Sequence, residues 1–228
     1  MSTLAFLRAD HGATAPLPRS PLAAETAAAG SSPAACRDTV GWADSSLLGK
    51  LELQAPADEL AGLRAALGFE QAAAGVAARG DAGWWCPLTP TRALLLGAAG
   101  ATGALAALVD GADGTAGQSA ARVLDVTAQF AAITLAGPLA RETIARFCAL
   151  DLRPAHAPVA ALRPGSVARM PGIVVREAEE RYLLLFGAAY ASYAWEVVAD
   201  AGARLGGAAV SEDALPPINA PKEVGSHA

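Results

Sequence analysis

Residues 47 to 55 read LLGKLELQA, with Leu47, Gly49, Leu51 and Leu53 on one parity and Leu48, Lys50, Glu52 and Gln54 on the other. That period of two predicts a half-buried strand with Lys50 and Glu52 facing water. Pro56 closes it, and Asp58 is placed to cap a helix through ELAGLRAALGF that Gly68 ends. Leu60, Leu63 and Leu67 fall on one stripe of that helix. Farther on, WWCPLTPTRALLLG predicts a strand at 92–96 after a proline-punctuated turn, GALAALVDGADG a short helix, and AARVLDV another strand. AQFAAITLAG alternates again, and Gly137-Pro138 then opens a helix, where a proline costs no hydrogen bond. Leu139, Ile144, Phe147 and Cys148 share a face of that helix, while Glu142 and Arg146 make an exposed pair four residues apart. GSVARM and GIVVREAEERYLLLF predict more strands, the last two forming a hairpin through the charged turn 177–180. The final helix, AAYASYAWEVVADAGARL, carries Tyr190, Tyr193, Trp195 and Val197 on an aromatic side and stops at Gly206-Gly207. Strands and helices mix without a parallel βαβ rhythm, so the fold class is α+β.

A faint repeat runs through this pattern. WADSSLLGKLELQAPADELAGLRAAL and LDVTAQFAAITLAGPLARETIARFCAL share one plan: an aspartate, a hydroxyl residue two positions on (Asp44, Ser46; Asp125, Thr127), a strand, a proline and a leucine-bearing helix. A duplicated strand–helix unit is the simplest account, and it implies two related halves with mixed or antiparallel sheets. Residues 1–36 and 209–228 hold few large apolar groups and are expected to be flexible arms around a body at 37–208.

Bulk properties narrow the function more than they define it. The 228 residues are 53% hydrophobic but 5% aromatic, with a formal net charge of −5 and no basic run, which argues against nucleic-acid binding. Three widely spaced cysteines, Cys36, Cys86 and Cys148, fit a reducing cytoplasm better than a disulfide framework. The N-terminus lacks the form of a signal peptide, and no apolar run reaches about 20 residues, so no membrane span is expected.

Candidate chemistry is sparse. His11, His156 and His227 have no ligand-type neighbours at metal spacing, so zinc is not expected here, and His156 reads as a surface-loop residue. Gly97, Gly100 and Gly103 follow a strand but are spaced GxxGxxG, not as a dinucleotide fingerprint. Cys148 lies on the apolar helix face as a small core residue. Trp84-Trp85 cannot both enter one core face, leaving either an exposed interface tryptophan or a pair buried around a turn. Arg141, Arg163 and Arg169 could each face an anion or simply be solvated.

At VLDVTAQFAAITLAGPLARETIARFCALDLRP the chain resembles the gamma subunit of heterotetrameric sarcosine oxidase. The matching positions are Asp125, Thr127, Gly137, Pro138, Ala140, Arg141, Cys148, Leu150, Asp151 and Leu152. The likeness continues through Pro164-Gly165-Ser166, Arg169, the apolar hairpin and the Tyr/Trp-bearing last helix, covering about 84 to 205. The earlier GWADSSLLGKLEL resembles the wider aminomethyltransferase family, with its D-x-S-x-x-G-K/R step. The resemblance implies a folate-binding-module fold of the aminomethyltransferase type, acting as a noncatalytic accessory subunit. Its partners would be alpha, beta and delta subunits of a flavoenzyme. That complex oxidises sarcosine to glycine, passes the methyl carbon to tetrahydrofolate and releases hydrogen peroxide. FAD, FMN, NAD and tetrahydrofolate would be held by the complex and zinc by the delta subunit, with none bound by this chain alone. The family's catalytic aspartate has no match here, so no catalytic, cofactor-binding or metal-binding residue is assigned. The other reading left open is a free-standing folate-binding or aminomethyltransferase-like protein.

Overall fold

The alternating segments pair into two sheets lying face to face. The computed structural model describes residues 19–27, 33–112 and 121–218, so most of the expected N-terminal arm and half of the C-terminal one lie outside the described residues. The first half runs β1 (Gly41–Asp44), β2 (Leu48–Gln54), α3 (Ala57–Ala66), β3 (Ala78–Gly80), β4 (Gly83–Thr89), β5 (Arg92–Ala99) and α4 (Thr102–Ala112). The second runs β6 (Arg122–Asp125), β7 (Phe130–Ala136), α5 (Ala140–Ala145), β8 (Leu162–Val167), β9 (Met170–Ala178), β10 (Arg181–Gly187) and α6 (Ala191–Ala203). Two short helices, α1 (Ala23–Ala27) and α2 (Pro33–Asp38), precede them, and a two-residue strand, β11 (Ala208–Ala209), follows.

Each half therefore has the same element order. The sheets repeat it in space: β3-β4-β5-β2-β6 in one and β8-β9-β10-β7-β1-β11 in the other. The first strand of each half leaves its own sheet and pairs antiparallel in the opposite one, β1 with β7 and β6 with β2. Among the described strands only β11 runs parallel to its neighbour. The duplication glimpsed in two motifs thus extends over the whole body, as two interlocked copies of one ββαβββα unit.

Sheet-on-sheet burial explains two departures from the alternation argument. Leu94, Leu96, Trp84 and Cys86 from one sheet meet Ile173, Val175, Leu183 and Leu185 from the other, while α3 and α4 cover the first sheet's outer face and α5 and α6 the second's. Both faces of the central strand β2 are covered, so Lys50 at 0% exposure and Glu52 at 7% are buried rather than facing water. Trp84 and Trp85 are likewise both buried, because they enter different cores: Trp84 lies between the sheets and Trp85 stacks near Phe69, 5.8 Å between ring centroids. They sit on β4, a strand the proline-rich sequence concealed; Pro87 lies beyond the end of β3, where β4 has no partner on that side.

Smaller corrections follow. Asp58 does not cap α3; Pro56 holds the cap position with no side-chain bond, and Asp58 lies in the first turn, where the helix dipole favours it. Glu142 pairs with Arg141 at 2.5 Å and not with Arg146. Gly137 has φ of +126°, and a Cβ there would lie 2.6 Å from the Thr39 carbonyl oxygen, so the Gly-Pro step requires glycine for close approach. Packed structure also reaches past the expected bounds of 37 and 208: Leu22 is 0% exposed, and Cys36, Val210 and Leu215 form one apolar cluster with Ala43 and Ala136.

Candidate functional site

The two Asp-x-Ser/Thr steps are the points where the chain crosses between sheets. At the first, the Ser46 amide donates to Asp44 Oδ1 at 2.9 Å; at the second, the Thr127 amide donates to Asp125 Oδ1 at 2.9 Å. Both are Asx turns, in which the carboxylate takes an amide that the bend frees. The hydroxyls then reach to the opposite half. Ser46 Oγ accepts from the Ala132 amide at 3.0 Å and donates to the Ala132 carbonyl at 3.3 Å. Thr127 Oγ1 accepts from the Lys50 amide at 3.0 Å and donates to the Lys50 carbonyl at 3.5 Å. Backbone bonds double each link: Ser45 N to Ala132 O and Val126 N to Lys50 O, both 2.9 Å. Each half thus grips one residue near the start of the other's second strand.

The halves differ in what fills the crossing. At Lys50 the ammonium donates to the carbonyls of Ser46 (2.8 Å), Leu48 (3.0 Å) and Thr127 (3.5 Å), binding both crossovers at once. Burial lowers its pKa to about 8, and the nearby carboxylates of Asp44 and Asp125 oppose that fall. The matching position on β7 is Ala132, which carries no charge. The ammonium and both clamp hydroxyls are engaged with backbone carbonyls, so the arrangement locks two halves together.

The other sequence candidates fall apart in space. His156 stays in an exposed loop with Nε2 3.9 Å from Asp151, whose carboxyl the Arg153 guanidinium holds well below the usual range. Burial raises the Cys148 thiol, which points at the Ser166 carbonyl at 3.6 Å as a packed core group. Arg163 is engaged with the carbonyls of Gly75, Leu162 and His156. Gly97 serves packing: a Cβ there would lie 2.7 Å from the Leu105 side chain, so it admits α4 against the sheet, whereas a Cβ at Gly100 or Gly103 would meet nothing. Among the described residues no group of three or more His, Cys, Asp or Glu is placed to hold a metal, and no helix is long and apolar enough to cross a membrane. A surface cavity of about 520 Å³ lies between α3 and β4 and is lined mainly by alanine, proline and leucine, with Arg64 at its side. Lys50 was missed as a central residue because alternation was read for a sheet with one wet face; the D-x-S/T repeat was the signal that could have located it.

Comparison with known proteins bears on this lock. No protein-family model and no curated protein sequence matches the chain. Among solved structures it is similar to a chain of the heterotetrameric sarcosine oxidase of Corynebacterium sp. U-96, solved with pyrrole 2-carboxylate. The identity is 27% and the TM-score 0.70, over 85% of this chain and 98% of that one. It also has the fold of the glycine cleavage system aminomethyltransferase T of Bartonella henselae, at 14% identity and a TM-score of 0.60. That match covers 78% of this chain and 56% of the other. The expected aminomethyltransferase-like α+β fold, and the resemblance to sarcosine oxidase, are both seen here.

Proposed function

We propose that this chain is the noncatalytic gamma-type subunit of a sarcosine oxidase-type heterotetramer, packing against the folate-binding part of the alpha subunit in the cytoplasm. In that assembly sarcosine is oxidatively demethylated to glycine, tetrahydrofolate accepts the one-carbon unit, and hydrogen peroxide is released. The observation that carries the reading is the match to a sarcosine oxidase chain across 98% of that chain's length. The internal lock supports it: the buried Lys50 cation, its pKa lowered by burial, is bonded to backbone carbonyls, an arrangement suited to a scaffold. FAD, FMN, NAD and tetrahydrofolate would belong to the complex, and zinc to the delta subunit. Purifying the tagged chain from its own cells tests this. A yellow, multi-subunit eluate that makes peroxide from sarcosine is the expected result, and a colourless, solitary chain would overturn it.

A second reading, a free-standing folate binder or aminomethyltransferase-like protein, has one specific support in the 520 Å³ cavity, whose Trp85, Leu60 and Arg64 lining has the size and mixed character of a ligand pocket. Calorimetric titration of the isolated chain with tetrahydrofolate decides it, since a flat trace ends that reading.

A further inference from the structure

Of the three arginines the sequence offers to an anion, the structure engages two internally and leaves one free. Arg141 pairs with Glu142, and Arg163 is held by three carbonyls. Arg169 and, on the segment after α5, Arg146 are exposed, and their side chains make no hydrogen bond or ion pair. Arg169 sits in the two-residue turn joining β8 to β9, where Val167 pairs with Met170. Ala168 and Arg169 have φ of 50° and 64° there, a left-handed conformation that favours Asn-Gly and strains other residues.

That strained turn is fastened to an aromatic cleft. The Ala168 amide donates to the Phe147 carbonyl at 2.9 Å, and the Tyr193 hydroxyl donates to the Ala168 carbonyl at 3.4 Å. Phe147 and Tyr193 line a cleft of about 370 Å³ between the end of α5 and α6, together with Arg146 and Val197. Asp200 and Arg204, also in its wall, pair with each other, leaving Glu196 as its one unpaired carboxylate. Tyr193 and Tyr190 are 47% and 51% exposed. An exposed tyrosine, Tyr193, beside the unpaired Arg146 and near the Arg169 turn is the composition of a protein-interface centre, and with Asp200 matched by Arg204 the two unpaired arginines outnumber the one unpaired carboxylate, Glu196.

We infer that this cleft and the Arg169 turn form a docking surface for a segment of a partner protein presenting carboxylates to Arg146 and Arg169. The inference rests on the multi-subunit reading above and adds the place of contact and the partner's chemistry. The strain in the turn is then retained because it aims Arg169 outward.

The test compares three full-length tagged chains expressed in their own cells: wild type, Arg146→Glu/Arg169→Glu, and Ala168→Asn/Arg169→Gly. Flavin absorbance and subunit identity per tagged chain are read for each, with a thermal melt of each free chain. The charge-reversed chain should recover on the order of tenfold fewer partner subunits. The Asn-Gly chain should melt above wild type yet also lose recovery, which a merely structural turn would not show. Phenylglyoxal should modify Arg146 and Arg169 in the free chain and spare both in the complex. Undiminished recovery by both variants, or equal modification in both states, overturns the surface while leaving the complex standing. A wild-type chain that recovers no subunits removes the complex and this surface together. A homodimer dispersed by the charge reversal would make the occupant a second copy and overturn the partner assignment.

Discussion

β1 and β6 occupy the same place in the two sheets, yet their surroundings differ. At β1, Ala43 is 0% exposed beneath Cys36, Val210 and Leu215, and β11 pairs along the strand's outer edge. At β6, Leu124 holds the corresponding position, one residue before the aspartate, and is 46% exposed. The crossovers follow suit, with Ser46 at 3% exposure and Thr127 only half-buried. The duplicated unit therefore specifies which strands pair. Segments outside the unit, near 35–36 and 208–215, decide how dry each swapped strand becomes. Equivalent positions in a repeat protein should accordingly be unequal in energy, and the inequality can be measured.

The largest effect is expected from Lys50, whose mate Ala132 titrates nothing. Burial puts the folded-state pKa near 8 against an ordinary value of 10.5. Between those pH values the unfolded chain holds a proton that the folded chain has released, so this group's contribution to stability rises with pH across the window and is lost again as pH falls through 8. The span is on the order of 3 kcal/mol. Urea unfolding of wild type and Lys50→Met at pH 7.5 and 10.5 isolates it, because the buried thiols act alike in both proteins. The gap should move in favour of wild type at the higher pH. A gap independent of pH would mean that the three carbonyl acceptors fully compensate the burial of the charge.

The two hydroxyl clamps come next. Ser46→Ala leaves the Ala132 amide buried with no replacement partner, at a cost of about 2 kcal/mol. Thr127→Ala breaks the mirrored bonds to Lys50, but water reaches that crossover, and about 1 kcal/mol is expected. Denaturant midpoints of the two variants settle the ratio; equal losses would show that the crossovers are energetically equivalent despite their unequal burial.

Why some of this was legible in the sequence and some was not follows from the same asymmetry. Alternation at 47–55 and 130–136 and the charged hairpin at 177–180 are local signals, and each has its element; the helix that Gly137-Pro138 signals begins only at Ala140, with Leu139 as its N-cap, so the proline lies just outside it. The D-x-S/T repeat pointed to duplication because Asx turns and hydroxyl clamps are short-range chemistry. Lys50, Glu52 and Trp84 were read wrongly or left open for one reason: local pattern cannot say that a second sheet will cover the face a polar residue occupies. β3 and β4 were hidden by short length and by Pro87. The Arg169 turn gave no sequence signal, since Ala-Arg lacks the chemistry of the turn it adopts.

The smallest effect is the sharpest test of the comparison. Leu124→Ser in the isolated chain removes an apolar side chain that is already 46% exposed, so folding stability should change by no more than about 0.5 kcal/mol. Ala43→Val, at the mate position, adds bulk beneath Cys36, Val210 and Leu215, where overpacking costs about 1–3 kcal/mol. Urea midpoints for this pair need no partner and no cofactor. Were Leu124→Ser to cost as much as Ala43→Val, β6 would be as well covered in solution as β1, and the dependence of edge burial on the segments outside the repeat would fail. If the expected disparity holds, the fold's two halves share their hydrogen-bond plan but not their solvent, and the exposed strand is the one whose environment an assembly can still change.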